Sequence, residues 1–249
     1  MEDGDFEKLD IDGLSEKVEY IIGKGHHSVI CRSGDYVLKI IPFTERGKKE
    51  IQNMQRINKL LREEMCTFAR LKKIIIFQLA ESLELVDLSN YVTNDVVLSV
   101  ENVHKKTIPI GKYYGLKMEN GGIPVHLVTQ WEYKDVVEML FQMFWSLEKA
   151  QNKFNFCHHD LHSKNVLFKR EENEILDFIR GKIFNLNVKI LIIDFELSTF
   201  DVQDSSEDAL GIYHILNNIS TKDFTQEQKT ALRRIKFKLG KGSVSYSVC

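Results

Sequence analysis

The chain has 249 residues, 43% of them hydrophobic and 28% charged, with a formal net charge of −2. This is the make-up of a globular protein with room for one large domain or two lobes sharing a cleft. Bulk electrostatics point to neither nucleic acid nor a membrane as a direct partner. No apolar run reaches transmembrane length, and Met1 is followed by Glu2, Asp3 and Asp5, so no signal peptide is expected. Cys31, Cys66, Cys157 and Cys249 form no Cys-x-x-Cys pair. Neither a zinc site nor a disulfide framework is therefore expected, and a reducing intracellular compartment is.

In chain order, Val18–Ile22 reads as a strand, Gly23–Ser28 as a turn and Val29–Arg32 as the return strand. Ser33–Asp35 is a second turn and Tyr36–Ile41 a third strand. A helix is predicted from about Lys48 to Glu64, with Ile51, Met54, Ile57, Leu60 and Leu61 recurring every three to four residues. Residues 72–118 read as two or three strands ending in Tyr113-Tyr114-Gly115-Leu116-Lys117-Met118. Glu119-Asn120-Gly121-Gly122-Ile123-Pro124 should break regular structure and separate two lobes. Val136, Val137, Leu140, Phe141, Phe144 and Leu147 share one face of a helix from about Tyr133 to Asn152. A loop follows, then a strand from Asn165 to Phe168, a hairpin or irregular insertion over 171–187, and a buried strand from Val188 to Ile193. Helices near 207–219 and 225–239 close the chain, the second capped by Gly240.

Three groups of residues carry chemistry. Gly23-x-Gly25-x-x-Ser28-x-Ile30 sits on a strand–turn–strand. Paired glycines let backbone N–H groups approach phosphates, although alone they are more often a plain turn. Lys39 lies inside the apolar run Val37–Ile41 and must alternate to a polar side or find a partner. Fourteen residues after Gly25, it can reach phosphates under the glycine turn. Glu50 is its expected ion-pair partner, ahead of Glu63 and Glu64.

The third group is His158-x-Asp160-x-x-x-x-Asn165, followed by Asp194 at the end of Leu191-Ile192-Ile193. This is the spacing of a phosphotransferase catalytic loop and its strand-end metal ligand. Asp160 would receive the acceptor hydroxyl, Asn165 and Asp194 would hold Mg2+ on ATP, and His158 would brace the loop. A metal site built from the histidines is the competing reading; the spacing matches it less well.

With these residues in order, the chain looks like a eukaryotic-type protein kinase, and it resembles the haspin family in particular. The resemblance rests on Asp160-Leu161-His162-x-x-Asn165-Val166-Leu167, with His162 where ordinary kinases place a catalytic-loop lysine, and on Glu119-Asn120-Gly121-Gly122-Ile123 as a hinge. The missing Ala-Pro-Glu motif and the insertion between Asn165 and Asp194 agree, and the likeness spans about residues 18–220. It implies an α+β, bilobal protein kinase-like fold in a single domain over 1–249. The β-rich N-lobe, with one main helix, would span about 14–118, the hinge 119–124, and a short, mostly helical C-lobe 125–249. By the same resemblance Gly23, Gly25 and Ser28 cover the nucleotide, and Lys39 pairs with Glu50. Met118, Glu119 and Gly121 border adenine. Asp160, with Lys39 and His162, is catalytic, and Asn165 and Asp194 bind magnesium. The implied substrate is a threonine in the basic tail of histone three during mitosis, the implied location nuclear and chromosome-associated, and a monomer is expected.

Some residues depart from the pattern. His159 replaces the arginine that in many kinases pairs with a phosphorylated activation segment, so such activation is not expected. Glu196 replaces the glycine after Asp194-Phe195, and Pro124 a polar residue after the hinge. Gly211 stands where the family has an Asp before Ile-Tyr; Asp208, one turn earlier, is the candidate substitute as anchor of the catalytic loop. From Ile190 to Thr221 there is no Lys or Arg, whereas Asp194, Glu196, Asp201, Asp204, Glu207 and Asp208 are acidic. Such a segment either attracts a basic peptide or is simply a solvated loop. Ile193-Asp194-Phe195-Glu196 also fits choline- or aminoglycoside-type phosphotransferases, and Glu196 with Gly211 leaves room for a nucleotide-binding pseudokinase scaffold.

Overall fold

The computed structural model describes residues 6–9, 18–25, 28–63, 67–89, 92–93, 96–97, 104–179, 182–200 and 206–241. His26, His27, Glu64, Cys66, Asp201, Asp204 and Cys249 lie outside the described residues. The fold is α+β and bilobal. One unit comprises Met1–Gln55 and Arg70–Asn120, the other Arg56–Ala69 and Gly121–Cys249.

The first unit is built on an eight-stranded sheet. In chain order its strands are β1 (Phe6–Leu9), β2 (Ile21–Lys24), β3 (Val29–Ser33), β4 (Tyr36–Pro42), β5 (Leu71–Leu79), β6 (Leu83–Asp87), β9 (His104–Ile108) and β10 (Gly111–Glu119). A two-stranded pair, β7 (Val92–Thr93) and β8 (Val96–Val97), stands apart from it. The spatial order is β1-β5-β10-β4-β3-β2-β6-β9. β4 is interior, with Lys39 opposite Ile30 on one side and Leu116 on the other. Ile21, Cys31, Leu38, Ile40, Ile75, Phe77 and Leu79 pack into one core.

Several boundaries move from the sequence reading. β2 starts at Ile21 and runs on to Lys24, with a register shift between Ile21 and Gly23, so Gly23 is in the strand and not in the turn. Residues 71–119 hold more strands than two or three, because short strands with few apolar residues carry little periodic signal. Helix α1 (Glu45–Glu63) begins three residues before Lys48. Thr44 sets that start, its Oγ1 accepting the Gly47 N–H at 3.2 Å and its carbonyl the Lys48 N–H at 2.9 Å.

The second unit has a three-stranded sheet of β11 (Ile123–Pro124), β12 (Val166–Ile179) and β13 (Lys182–Ile192), in that order. The region 171–187 is thus part of one long antiparallel hairpin, irregular only between Arg170 and Ile175. Ile123 and Pro124 pair with Phe168 and Leu167, so the predicted break at 119–124 ends in a strand. Gly122, at φ +85, makes that pairing possible: a Cβ there would lie 2.3 Å from the Phe168 carbonyl oxygen.

Helix α2 (Tyr133–Phe154) opens on a capping box between Glu132 and Asp135 and ends at Asn155, which is left-handed at φ 48. It lies along β13, the edge of the sheet, and supplies the partners that a further strand would. The Glu138 carboxylate accepts the N–H groups of Asn187 (2.7 Å) and Val188 (3.2 Å). The Gln142 amide donates to the Val188 carbonyl (2.9 Å) and accepts the Ile190 N–H (3.2 Å). Helices α3 (Ser206–Asn217) and α4 (Gln226–Gly240) complete the unit. Gly240 is not a cap: it is the last helical residue, and Lys241 follows in right-handed geometry at φ −89. Among the described residues no helix is long and apolar enough to cross a membrane.

Candidate active site

The loop 155–165 leaves α2 through Asn155 and drops at once into the core of the second unit. Phe156 and Cys157 are buried, and Cys157 exchanges two backbone hydrogen bonds with Thr199. His158 is fully buried. Its Nε2 lies 2.9 Å from the Ile193 carbonyl oxygen, and its Nδ1 accepts the Asp160 N–H at 3.3 Å. That pair of partners requires the neutral ring with its proton on Nε2. Burial holds the His158 pKa below the ordinary histidine value, against the opposing pull of Asp208.

Asp208, on α3, clamps the start of the loop. Its carboxylate accepts the His158 N–H at 2.9 and 3.2 Å and the His159 N–H at 3.1 Å. Burial raises its pKa; His158 and the backbone hydrogen bonds pull the other way. The clamp coincides with strain, because His159 is left-handed at φ 61, a conformation a non-glycine residue keeps only when its surroundings impose it. Gly211 permits the close approach: a Cβ there would lie 2.2 Å from the Leu161 carbonyl oxygen. The anchor is therefore Asp208, and the residue at 211 has to be small.

The same loop fixes the strand-end aspartate. Ile193 donates its N–H to the Asn165 carbonyl at 3.0 Å, and its own carbonyl faces the His158 ring. Asp194 follows at φ 68, also left-handed. Phe195 is buried and packs against Phe68 and His158, with ring centroids 5.8 and 5.6 Å apart. Asn165 Nδ2 donates to the Asp160 carbonyl (3.0 Å) and to Asp160 Oδ2 (3.2 Å), which settles which end of its amide is the nitrogen. His162 accepts the Lys164 N–H on Nδ1 at 3.2 Å, and its Nε2 lies 3.6 Å from Asp160 Oδ1. His159 points elsewhere, with Nδ1 2.5 Å from Glu207 and Nε2 2.6 Å from Thr199. Cys157, His159 and Glu207 offer donor atoms within 4.8 Å of one another. However, burial pushes the Cys157 thiol up to about 12, and Glu207 already occupies the ring nitrogen. A His159–Glu207 hydrogen bond beside a protonated thiol accounts for all three.

In the first unit, Lys39 Nζ and Glu50 Oε1 form a buried ion pair at 2.6 Å. Gly25 donates its N–H to the Ser28 carbonyl at 3.1 Å, and a Cβ on Gly25 would strike Ser28 Oγ. Met118 and Glu119 end β10, the Glu119 carboxylate accepting the Arg70 N–H at 3.2 Å. Gly121 belongs to the second unit, close against Leu167 and Leu191. The Ile193 clamp and the approach of Gly211 to Leu161 went unseen in the sequence, since both join backbone groups distant along the chain. The available signal was Asp208 itself, an acidic residue in the first turn of the helix and one turn before Gly211.

A β-rich unit with a buried Lys–Glu pair, and a second unit with a His-x-Asp-x-x-x-x-Asn loop fastened to a strand-end Asp, define the protein kinase class. Residues 9–228 match the family model described as haspin like kinase domain, and the chain belongs to that family of serine/threonine protein kinases. It is similar to the serine/threonine-protein kinase haspin homolog of Arabidopsis thaliana, with 26% identity over 200 residues, covering 71% of this chain and 33% of that protein. A shorter stretch is similar to probable kinase 098L of Invertebrate iridescent virus 3, with 32% identity over 69 residues, or 27% of this chain and 13% of that one. The chain thus matches about a third of the length of the Arabidopsis protein.

Proposed function

We propose that the chain is an ATP-dependent serine/threonine protein kinase of haspin type, transferring the γ-phosphoryl group to a threonine in the basic tail of histone three. The observation that carries this reading is the joint fastening of Asp160, Asn165 and Asp194 by the His158–Asp208 anchor. In the proposed mechanism Asp160 accepts the proton of the attacking hydroxyl, and His162, 3.6 Å away, orients that carboxylate. The oxygens of Asn165 and Asp194 are hard donors of the type magnesium takes, and Asn165 turns its nitrogen toward Asp160, leaving its oxygen for a metal. When bound, Mg2+ would neutralise charge on the phosphates. Lys39, oriented by Glu50, would hold the α- and β-phosphates. Gly23, Gly25 and Ser28 would cover them, while Met118, Glu119 and Gly121 would border adenine.

The run Ile190–Thr221, acidic and without Lys or Arg, suits a cationic substrate, which a basic peptide is. The Glu119–Ile123 hinge and the Gly23-x-Gly25 turn are what speak against a choline- or aminoglycoside-type enzyme. A monomer at chromosomes fits this reading, as does a single kinase domain with its hinge at 119–124. The test is transfer of labelled phosphate from ATP and Mg2+ to a histone-three tail peptide, beside choline and an aminoglycoside. Label on the peptide threonine supports the proposal; label on a small molecule, or none, contradicts it.

A further inference from the structure

The near-zero net charge hides a segregation. Residues 190–221 carry six acidic and no basic residues, whereas 222–241 carry seven basic (Lys222, Lys229, Arg233, Arg234, Lys236, Lys238, Lys241) and two acidic (Asp223, Glu227). Most of the positive charge is on α4. Its buried residues are Leu232 and Leu239, and Arg233, Arg234, Phe237, Lys238 and Lys241 are exposed. At 100° per residue these five fall on one face of the helix, the one turned away from the leucines. Lys241 Nζ lies 4.3 Å above the ring of Phe237, which is 63% exposed.

We propose that this face of α4 binds the phosphate backbone of duplex nucleic acid. Ordinary helix stabilisation does not account for it. Lys238 and Lys241 sit at the C-terminus, where the helix dipole favours cations, but Arg233 and Arg234 lie a turn or more earlier. No acidic residue stands three or four places before any of the four, and among the described residues none has a carboxylate partner. Lys229–Arg233 and Arg234–Lys238 are instead like-charge pairs at i, i+4, which repel. A polyanion relieves that repulsion. Anionic lipid fits less well, because an interfacial helix needs a broad free apolar face and the leucines of α4 are already buried. The inference stands apart from the phosphoryl-transfer reading, since it concerns binding alone.

The test is fluorescence anisotropy of a labelled short DNA duplex. The comparison is among wild type, the fourfold variant Arg233→Gln/Arg234→Gln/Lys238→Gln/Lys241→Gln, and a control, Lys72→Gln/Lys73→Gln, on β5. Four phosphate contacts predict that wild-type affinity falls about 150-fold between roughly 50 and 200 mM salt. The fourfold variant should lose at least about tenfold in affinity at low salt and most of that salt dependence, with the control unchanged. If the fourfold variant does not fold, Arg234→Gln/Lys238→Gln should lose about half of the salt slope. Absent wild-type binding, equal loss in the control, or binding to phosphatidylserine vesicles without DNA binding would each overturn the proposal.

Discussion

Both carboxylate oxygens of Asp208 accept the backbone N–H of His158, at 2.9 and 3.2 Å, and this bond ties α3 to the start of the catalytic loop. One of those oxygens also takes the N–H of His159. Asp208→Ala leaves two buried N–H groups without their acceptor and should cost about 2–4 kcal/mol. Urea denaturation measures it; an unchanged midpoint would mean that the loop does not depend on this anchor.

His158 should make stability depend on pH. Its folded-state pKa lies below the value of about 6.5 it has when unfolded, so on acidification the unfolded chain takes up the proton first. This contribution is fully present above that pH and is lost progressively as pH falls from there through the lower folded-state value. The melting temperature should therefore drop more steeply from about pH 7.5 to 5.5 in wild type than in His158→Gln. Asp208 is common to both proteins, so equal slopes would assign the effect elsewhere.

Lys39 and Glu50 are buried at 2.6 Å. Lys39→Met strips the Glu50 carboxylate of its nearest cation and should cost about 3–5 kcal/mol, while Lys39→Met/Glu50→Leu should cost less, because no charge stays buried. Thermal denaturation of both variants checks the order; a double variant less stable than the single one would contradict it.

Gly211→Ala should destabilise the second unit and lower activity together. Its Cβ would meet backbone, the Leu161 carbonyl oxygen at 2.2 Å, so no side-chain rotation relieves the overlap. A cost of about 1–3 kcal/mol is expected, as for overpacking in a core. Alanine tolerated in both melting temperature and turnover would show that α3 has room to move.

Much of this was legible in the sequence, and where it was not the reasons are physical. Lys39 stood out because a lysine amid Val37–Ile41 needs a partner, and Glu50 is that partner. Apolar periodicity gave helices at about 48–64 and 133–152, which the structure has as 45–63 and 133–154, although Val137, read onto the apolar face of the second, is exposed. The edge of β13 did not, because its N–H groups are satisfied by Glu138 and Gln142, polar residues that periodicity assigns to solvent. Gly211 read as a missing anchor, when what it supplies is the absence of a side chain. Gly240 read as a cap because glycine is common there, but it is the last helical residue and Lys241 follows it in right-handed geometry, so no left-handed cap forms.

His159 is engaged by Glu207 and Thr199, both from this chain. Activity should therefore not need phosphorylation of the activation segment. Phosphatase-treated and untreated enzyme should turn over at equal rates; a large loss on treatment would show a phosphate-dependent step.

In the proposed function Asp160, held by Asn165 and the His158–Asp208 anchor, serves phosphoryl transfer to a protein hydroxyl. The most direct measurement is transfer of labelled phosphate from ATP to a histone-three tail peptide by wild type and Asp160→Asn, with ATP binding followed by thermal shift. Wild type should label a threonine, and the variant should lose turnover by several hundredfold or more while keeping its ATP-induced stabilisation. Wild-type turnover in Asp160→Asn, or no transfer by either protein despite ATP binding, would contradict the account.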